Sequence, residues 1–286
     1  MLGATEVRRL LDEHGLSARK SLGQNFVTDP GTLRRIVSIA GIGPGSPVLE
    51  VGPGIGCLTL ALAEAGASVT AVEKDPTLLP VLDEVLATLP VSQRPNIVRG
   101  DALELDWQDL LQGDGWFVVA NLPYNVAVPI ILGLLTSAPM VDAMWVMVQL
   151  EMAERICAQP GGRTIGVPTI KVGWYADASI AMTVSPEVFT PRPRVRSAVV
   201  ELRRRRPPDD SLEPAVVFDL VDTAYRQRRK MLRSSLATLV GGDGAGEVWA
   251  GAGIDPTSRP EQLSVTDWSR LASSLLRCQR SSPRRN

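Results

Sequence analysis

Short apolar runs alternate with amphipathic stretches through the middle of the chain. The runs 47-PVLEVG-52, 68-SVTAVE-73, 96-NIVRGD-101, 116-WFVVAN-121 and 143-AMWVMVQ-149 have the length and composition of buried strands. Between them lie stretches with helical spacing, 57-CLTLALAEAG-66 and 77-TLLPVLDEVLATL-89. This alternation predicts parallel βαβ units and hence an α/β fold. Asp29 followed by Pro30 predicts a helix N-cap with proline in the first turn, opening a helix over 31–40. Two further apolar segments, 167-VPTIKVGWYA-176 and 197-SAVVELRR-204, are expected as strands that complete the sheet through a closing hairpin.

The paired prolines of 206-RPPDDS-211 end a strand and cannot continue a helix, which makes this the best linker. Beyond it Val216, Val217, Leu220, Val221, Ala224 and Tyr225 fall on one helical stripe. Leu232, Leu236 and Leu239 extend that pattern through the basic run 226-RQRRKMLR-233, which is therefore expected on a helix. A Gly-rich break, 241-GGDGAGE-247, precedes more helix around 266–276. Two domains are expected, residues 1–206 and a small all-helical domain over 207–286.

Composition narrows the classes. The hydrophobic share of 44% is enough for a full core. No apolar run approaches the roughly 18 residues of a membrane span. Residues 1–15 are charged and amphipathic and lack the apolar block of a signal peptide, so a cytoplasmic protein is expected. Cys57, Cys157 and Cys278 show no CxxC pairing, so neither a disulfide framework nor a metal site is expected. The net charge of −1 hides an asymmetry. Residues 1–150 hold 9 Lys+Arg against 16 Asp+Glu, a balance of −7, and residues 151–286 hold 21 against 15, a balance of +6. The basic excess lies in 192-RPRVRSAVVELRRRR-206 and 226–233. Such clusters are either solvated faces or contacts to a polyanion; the predominance of Arg, whose fork matches phosphate geometry, favours the second.

The candidate chemistry sits at the strand ends. The loop 50-EVGPGIG-56 follows the first strand and opens a helix, where glycines allow a sharp turn and close approach to a ligand. Its spacing departs from a dinucleotide fingerprint, because Cys57 stands where that pattern wants Gly or Ala. Glu73 ends the second strand, 21 residues beyond Gly52, and can accept both hydroxyls of a ribose. Asp101 ends the third strand, placed for an adenine amino group. Singly, either carboxylate could cap a turn; together, after a glycine loop, they describe a nucleoside crevice.

These residues resemble S-adenosylmethionine-dependent methyltransferases. The blocks 19-RKSLGQNFVTDP-30, EVGPGIG, VEKD, GDALELD, 121-NLPYN-125, 188-VFTPRPRVRSAVV-200 and 226-RQRRKMLR-233, in this order, are similar to the KsgA-type ribosomal RNA adenine dimethyltransferases over roughly residues 19–275. The resemblance implies a Rossmann-like fold with a mostly parallel seven-stranded sheet, a small helical C-terminal domain, and S-adenosyl-L-methionine as cofactor. It also implies an N-terminal cofactor and RNA loop over 17–29, with Asn25 and Val27 at binding positions. Gly52, Gly54, Glu73, Lys74, Asp101, Ala102 and Asn121 complete the implied cofactor set. Val27 replaces the usual leucine, Lys74 stands where relatives carry an aliphatic residue, and Ile165 where they commonly have Tyr.

The implied substrate is a pair of adjacent adenines near the 3′ end of small-subunit ribosomal RNA, in a pre-30S particle. An adenine N6 amine is a poor nucleophile because its lone pair is delocalised into the ring. Asn121 offers a side-chain carbonyl and Leu122 a backbone carbonyl, two acceptors for its two hydrogens. Pro123 biases Leu122 away from helical geometry, and Tyr124 offers a ring for the extruded base to stack on. By resemblance Phe189 covers the other face. Arg226, Arg228, Arg229, Lys230 and Arg233 are the expected RNA contacts. The chain is expected to act as a monomer, without metal or membrane. Two alternatives stay open here: a macrolide-resistance relative acting on large-subunit RNA, and a non-catalytic RNA-binding assembly factor.

Overall fold

A computed structural model describes residues 1–16, 24–242 and 244–281. Residues 17–23, most of the expected cofactor loop, lie outside the described residues. The chain divides into two compact units, one formed by Met1–Ala153 with Ala178–Arg204, the other by Glu154–Asp177 with the chain from Arg205 onward. The expected boundary at 206 thus has a counterpart at 153, because a segment from mid-chain packs with the C-terminal helices.

The first unit runs α1 (Ala4–Glu13), β1 (Phe26–Val27), α2 (Pro30–Ile39), β2 (Pro47–Val51), α3 (Cys57–Glu64), β3 (Ser68–Glu73), α4 (Leu79–Leu86), β4 (Asn96–Arg99), α5 (Trp107–Leu110), β5 (Trp116–Asn121), α6 (Ala127–Ser137) and β6 (Val141–Gln149). After α7 (Leu150–Ile156) and α8 (Val167–Tyr175) come β7 (Ala176–Val184), β8 (Phe189–Thr190) and β9 (Ser197–Arg204). Seven strands form one sheet in the order β4-β3-β2-β5-β6-β9-β7. The pairs among β2 to β6 are parallel, and β9 runs antiparallel to β6 with Gln149 opposite Ser197. The central parallel strands β2, β3, β5 and β6 are buried almost throughout, as strands covered on both faces must be, while the edge strand β4 is not.

Chain order reverses between β2 and β5, and the carboxyl ends of the strands meet there. In open α/β sheets that switch point is where ligands bind. A separate two-stranded ribbon pairs β1 with β8, setting Val27 opposite Phe189. Asp29 caps α2 as expected, its carboxylate accepting from Thr32 N at 2.6 Å. Arg204 closes the far end of α6: Nη1 donates to Leu135 O (2.9 Å), Nη2 to Ala138 O (2.9 Å) and Nε to Val141 O (2.7 Å). Leu135 O and Ala138 O are carbonyls that a helix end leaves without intrahelical donors, and Val141 O opens β6.

The second unit carries α8, then α9 (Pro214–Tyr225), α10 (Leu232–Ser235), α11 (Ala237–Val240), α12 (Ala245–Ala252) and α13 (Val265–Ser281). Residues 167–176, expected as a strand, form α8 instead. Pro168 fits a first helical turn, where no amide donor is needed, and the Thr169 side chain accepts from Gly166 N at 3.0 Å. Trp174 of α8 is fully buried and meets Phe218 of α9 edge-on, with centroids 6.4 Å apart. The strand that completes the sheet is β7, whose small and polar residues give only a weak alternating signal. The basic block departs too. Helix α9 stops at Tyr225, and 226–230 form exposed turns, since that stretch offers no apolar side chain to bury. Leu232 and Leu236 are buried, but the chain leaves helical geometry at Leu236 and turns Leu239 outward. Among the described residues no helix is long and apolar enough to cross a membrane.

Candidate active site

A cleft of about 1080 Å³, its mouth included, opens at the switch point of the sheet. Its floor is the glycine loop, where Gly52, Gly54 and Gly56 take φ of 74°, 60° and 89°, a region other residues enter at a cost. A Cβ on Gly52 would meet only Pro123, 4.0 Å away, so the cleft keeps a clear approach to the backbone there. A Cβ on Gly54 would come within 2.7 Å of the Phe26 ring, which closes the cleft from the β1 side.

Buried Glu73 is held by two backbone donors: Gly54 N to Oε2 at 2.9 Å and Asp75 N to Oε1 at 2.7 Å. Burial pushes its carboxyl pKa up, and these two amides oppose the rise. Each oxygen retains a lone pair for a hydroxyl donor. Asp101 accepts from Leu103 N at 3.0 Å and forms an ion pair with Lys74. Lys74, first, and the Leu103 amide hold its carboxyl below the usual range. Lys74 therefore engages the carboxylate expected to meet adenine, a link the sequence pattern did not reveal.

Glu50 lines the same cleft and is 1% exposed, with no hydrogen-bond partner for Oε2. Burial pushes its carboxyl up to about 8, and the charge of Glu73 adds to the rise. Thr59 pulls the other way, although its hydroxyl falls outside full hydrogen-bond geometry. Glu73, Asp75 and Asp101 against Lys74 make the lining acidic, suited to a cationic ligand.

At the end of β5, Asn121 Nδ2 donates to Asn25 O at 2.7 Å. That bond uses one of the two amide hydrogens and orients the group, with Oδ1 as the acceptor it can offer a ligand. Leu122 is buried, its backbone N donating to Met147 O at 3.2 Å, and Val126 N closes a turn on Pro123 O at 3.1 Å. Tyr124, half-buried, places its hydroxyl 2.7 Å from Ser197 Oγ. Burial raises the phenol's pKa and the Ser197 bond opposes it.

The cleft thus gathers Asn25, Val27, Gly52, Gly54, Glu73, Lys74, Asp101, Ala102, Asn121 and Pro123. The Tyr124 ring lies outside its lining. Phe189, expected over the second face of a base, is 4% exposed and packs in the hydrophobic core. Gln24, Asp75 and Leu103 line the cleft without having been singled out in the sequence, though all three lie within quoted motifs; Gln24 Nε2 donates to Asp75 Oδ2 at 2.9 Å. In the second unit Arg226, Arg228, Arg229, Lys230 and Arg233 are all exposed. No cluster of three or more metal-binding side chains occurs among the described residues.

S-adenosylmethionine, the expected ligand, fits this donor set. Glu73 offers acceptors for a ribose, Val51, Leu58, Val72, Leu78 and Ile130 offer apolar wall, and the carboxylates suit a cation.

The sequence pattern of the ribosomal RNA adenine dimethylase family matches residues 15–276. A protein of Cutibacterium acnes named ribosomal RNA small subunit methyltransferase A is 45% identical, over 96% of this chain and 94% of its own. A protein of the same name from Kineococcus radiotolerans is 47% identical, over 95% and 91%. Among solved structures, a dimethyladenosine transferase from Plasmodium falciparum superposes with a TM-score of 0.72 at 22% identity, covering 88% of this chain and 97% of that one. The 23S ribosomal RNA methyltransferase ErmE gives 0.64 at 25% identity, covering 87% and 99%.

Proposed function

Since the chain belongs to the ribosomal RNA adenine dimethylase family, we propose that it dimethylates N6 of two adjacent adenines near the 3′ end of small-subunit ribosomal RNA. It acts during small-subunit assembly, on a pre-30S particle, as a monomer in the cytoplasm. The observation that carries the reading is the Asn121 amide, whose nitrogen donates to Asn25 O at the mouth of an acidic nucleoside cleft.

The residues act as follows. Glu73 takes the ribose hydroxyls, Asp101 with Ala102 the adenine end, and Asn25, Val27, Gly52 and Gly54 the remaining walls. Lys74 keeps Asp101 charged. Bound there, S-adenosylmethionine supplies an electrophilic methyl group on a positively charged sulfur. Asn121 Oδ1 and the Leu122 carbonyl accept the two hydrogens of the target amine and draw its lone pair out of conjugation. Both bonds strengthen as charge develops on nitrogen, which is when they lower the barrier. Tyr124 stacks on the extruded base. Phe189, buried against β1, holds that wall of the cleft. No side-chain base is required, because a cationic product amine gives its proton to solvent; His14, the one histidine, is engaged with Glu84 at 2.8 Å. Arg226, Arg228, Arg229, Lys230 and Arg233 contact RNA phosphates.

The relatives at 45% and 47% identity favour small-subunit RNA over the large-subunit alternative. A purely non-catalytic factor has no need of Glu73, Asp101 and Asn121 in one cleft. The test is transfer of labelled methyl groups to small subunits lacking the modification, followed by mapping of the label. Two dimethyladenosines near the 3′ end are expected. Label on another base, or on large-subunit RNA only, overturns the reading.

A further inference from the structure

We infer that Ser197 is a positioning residue for methyl transfer: its buried hydroxyl anchors the far end of the Tyr124 ring on which the target base stacks. The inference rests on the function proposed above and adds a residue to it.

Ser197 is the first residue of β9, fully buried, and its backbone is fixed in the antiparallel ladder opposite Gln149. One residue earlier Leu150 N donates to Arg196 O at 2.9 Å, so the strand entrance is pinned on both residues. From that rigid point the hydroxyl reaches 2.7 Å to the Tyr124 phenol, 73 residues earlier in the chain. Tyr124 has no such support from its own backbone, since it lies in the turn between β5 and α6. A ring on a turn can swing about its first side-chain torsion, which carries the phenol oxygen through an arc; a hydrogen bond at that oxygen fixes where the ring stands. Tyr rather than Phe makes sense at this position for that reason, as stacking alone needs no hydroxyl. Both hydroxyls are satisfied by the pair, so the contact also avoids an orphaned polar group at a fully buried site.

The tether acts on the base side alone. Neither Ser197 nor Tyr124 lines the cofactor cleft. Removing the bond is therefore expected to lower the rate of methyl transfer while leaving cofactor affinity as it was.

The experiment compares Ser197→Ala, Tyr124→Phe and the double variant, in the full chain, by single-turnover methyl transfer to unmodified small subunits. A lost hydrogen bond of ordinary strength predicts a fall of roughly 3- to 10-fold for each single variant, and no further fall for the pair. Cofactor binding by calorimetry stays at the parental Kd. A short RNA carrying 2-aminopurine at the target position reports stacking directly: its fluorescence is quenched on the parent and less so on Ser197→Ala. Tyr124→Ala, which removes the ring, sets the floor for both readouts. Losses that multiply in the double variant, unchanged quenching in Ser197→Ala, or a cofactor Kd that weakens in step with the rate would each overturn the inference. Failure of the parent to methylate small subunits counts instead against the proposed function.

Discussion

Glu50 makes stability depend on pH in a direction opposite to that of most carboxylates. Its carboxyl rises from an ordinary 4.5 to about 8 in the fold, chiefly because burial disfavours the charged form. Between those values the folded chain holds a proton that the unfolded chain has released. Its contribution is therefore complete below about pH 4.5 and is lost as pH rises toward 8, at about 1.4 kcal/mol per pH unit. Across the window the loss is on the order of 5 kcal/mol, large beside a total stability of about 5–15 kcal/mol. Glu50→Gln keeps the shape and removes the titration. Urea denaturation of both proteins from pH 5 to pH 8 gives the comparison. Glu73 faces Glu50, and its carboxyl is also raised, so the parental slope contains both groups; the difference between the two proteins isolates Glu50. The Cys57 thiol beside it, pushed up to about 12, stays outside the window. Glu50→Gln is expected to gain on the parent steadily as pH rises. Parallel stability curves would refute the assignment of a neutral, buried Glu50.

Two further outcomes follow from the site. Gly54→Ala adds a Cβ 2.7 Å from the Phe26 ring at φ 60°, a backbone cost of about 1–2 kcal/mol beyond the clash. Cofactor affinity, read by calorimetry, is expected to fall by roughly tenfold or more, and an unchanged Kd would show that Phe26 does not wall the site. Replacing Arg228 and Arg229 with Ala removes two exposed cations from the turn after α9. If each meets a phosphate of single-stranded RNA, the slope of log affinity against log salt flattens by about 1.4, and an unaltered slope places the RNA elsewhere.

Much of the sheet was legible because burial on both faces gives unbroken β-branched runs: 68–73 and 116–121 are strands over those residues. The same signal misled at 167–176, where an apolar run around Ile170, Val172 and Trp174 is buried by helix packing instead of pairing. Strand β7 was missed since Ala, Ser and Thr carry little of either period. The cleft was legible wherever a motif residue ends or closely follows a strand, as with Glu73 and Asn121 at the ends of β3 and β5 and Asp101 two residues past β4. What escaped are the partners those residues acquire across long separations: Asn25 on Asn121, Lys74 on Asp101, Ser197 on Tyr124. Periodicity and spacing carry no information about such pairs. Nor could they tell that Phe189 would be drawn into the core beside β1.

Helix α6 begins just after Tyr124, and 11 residues later its last carbonyls are gripped by the Arg204 guanidinium. A rod of that length spans about 16 Å, and a rod clamped at one end swings at the other. Loosening the clamp at the end of β9 is therefore expected to shift the start of α6 and the turn before it, which carries Tyr124.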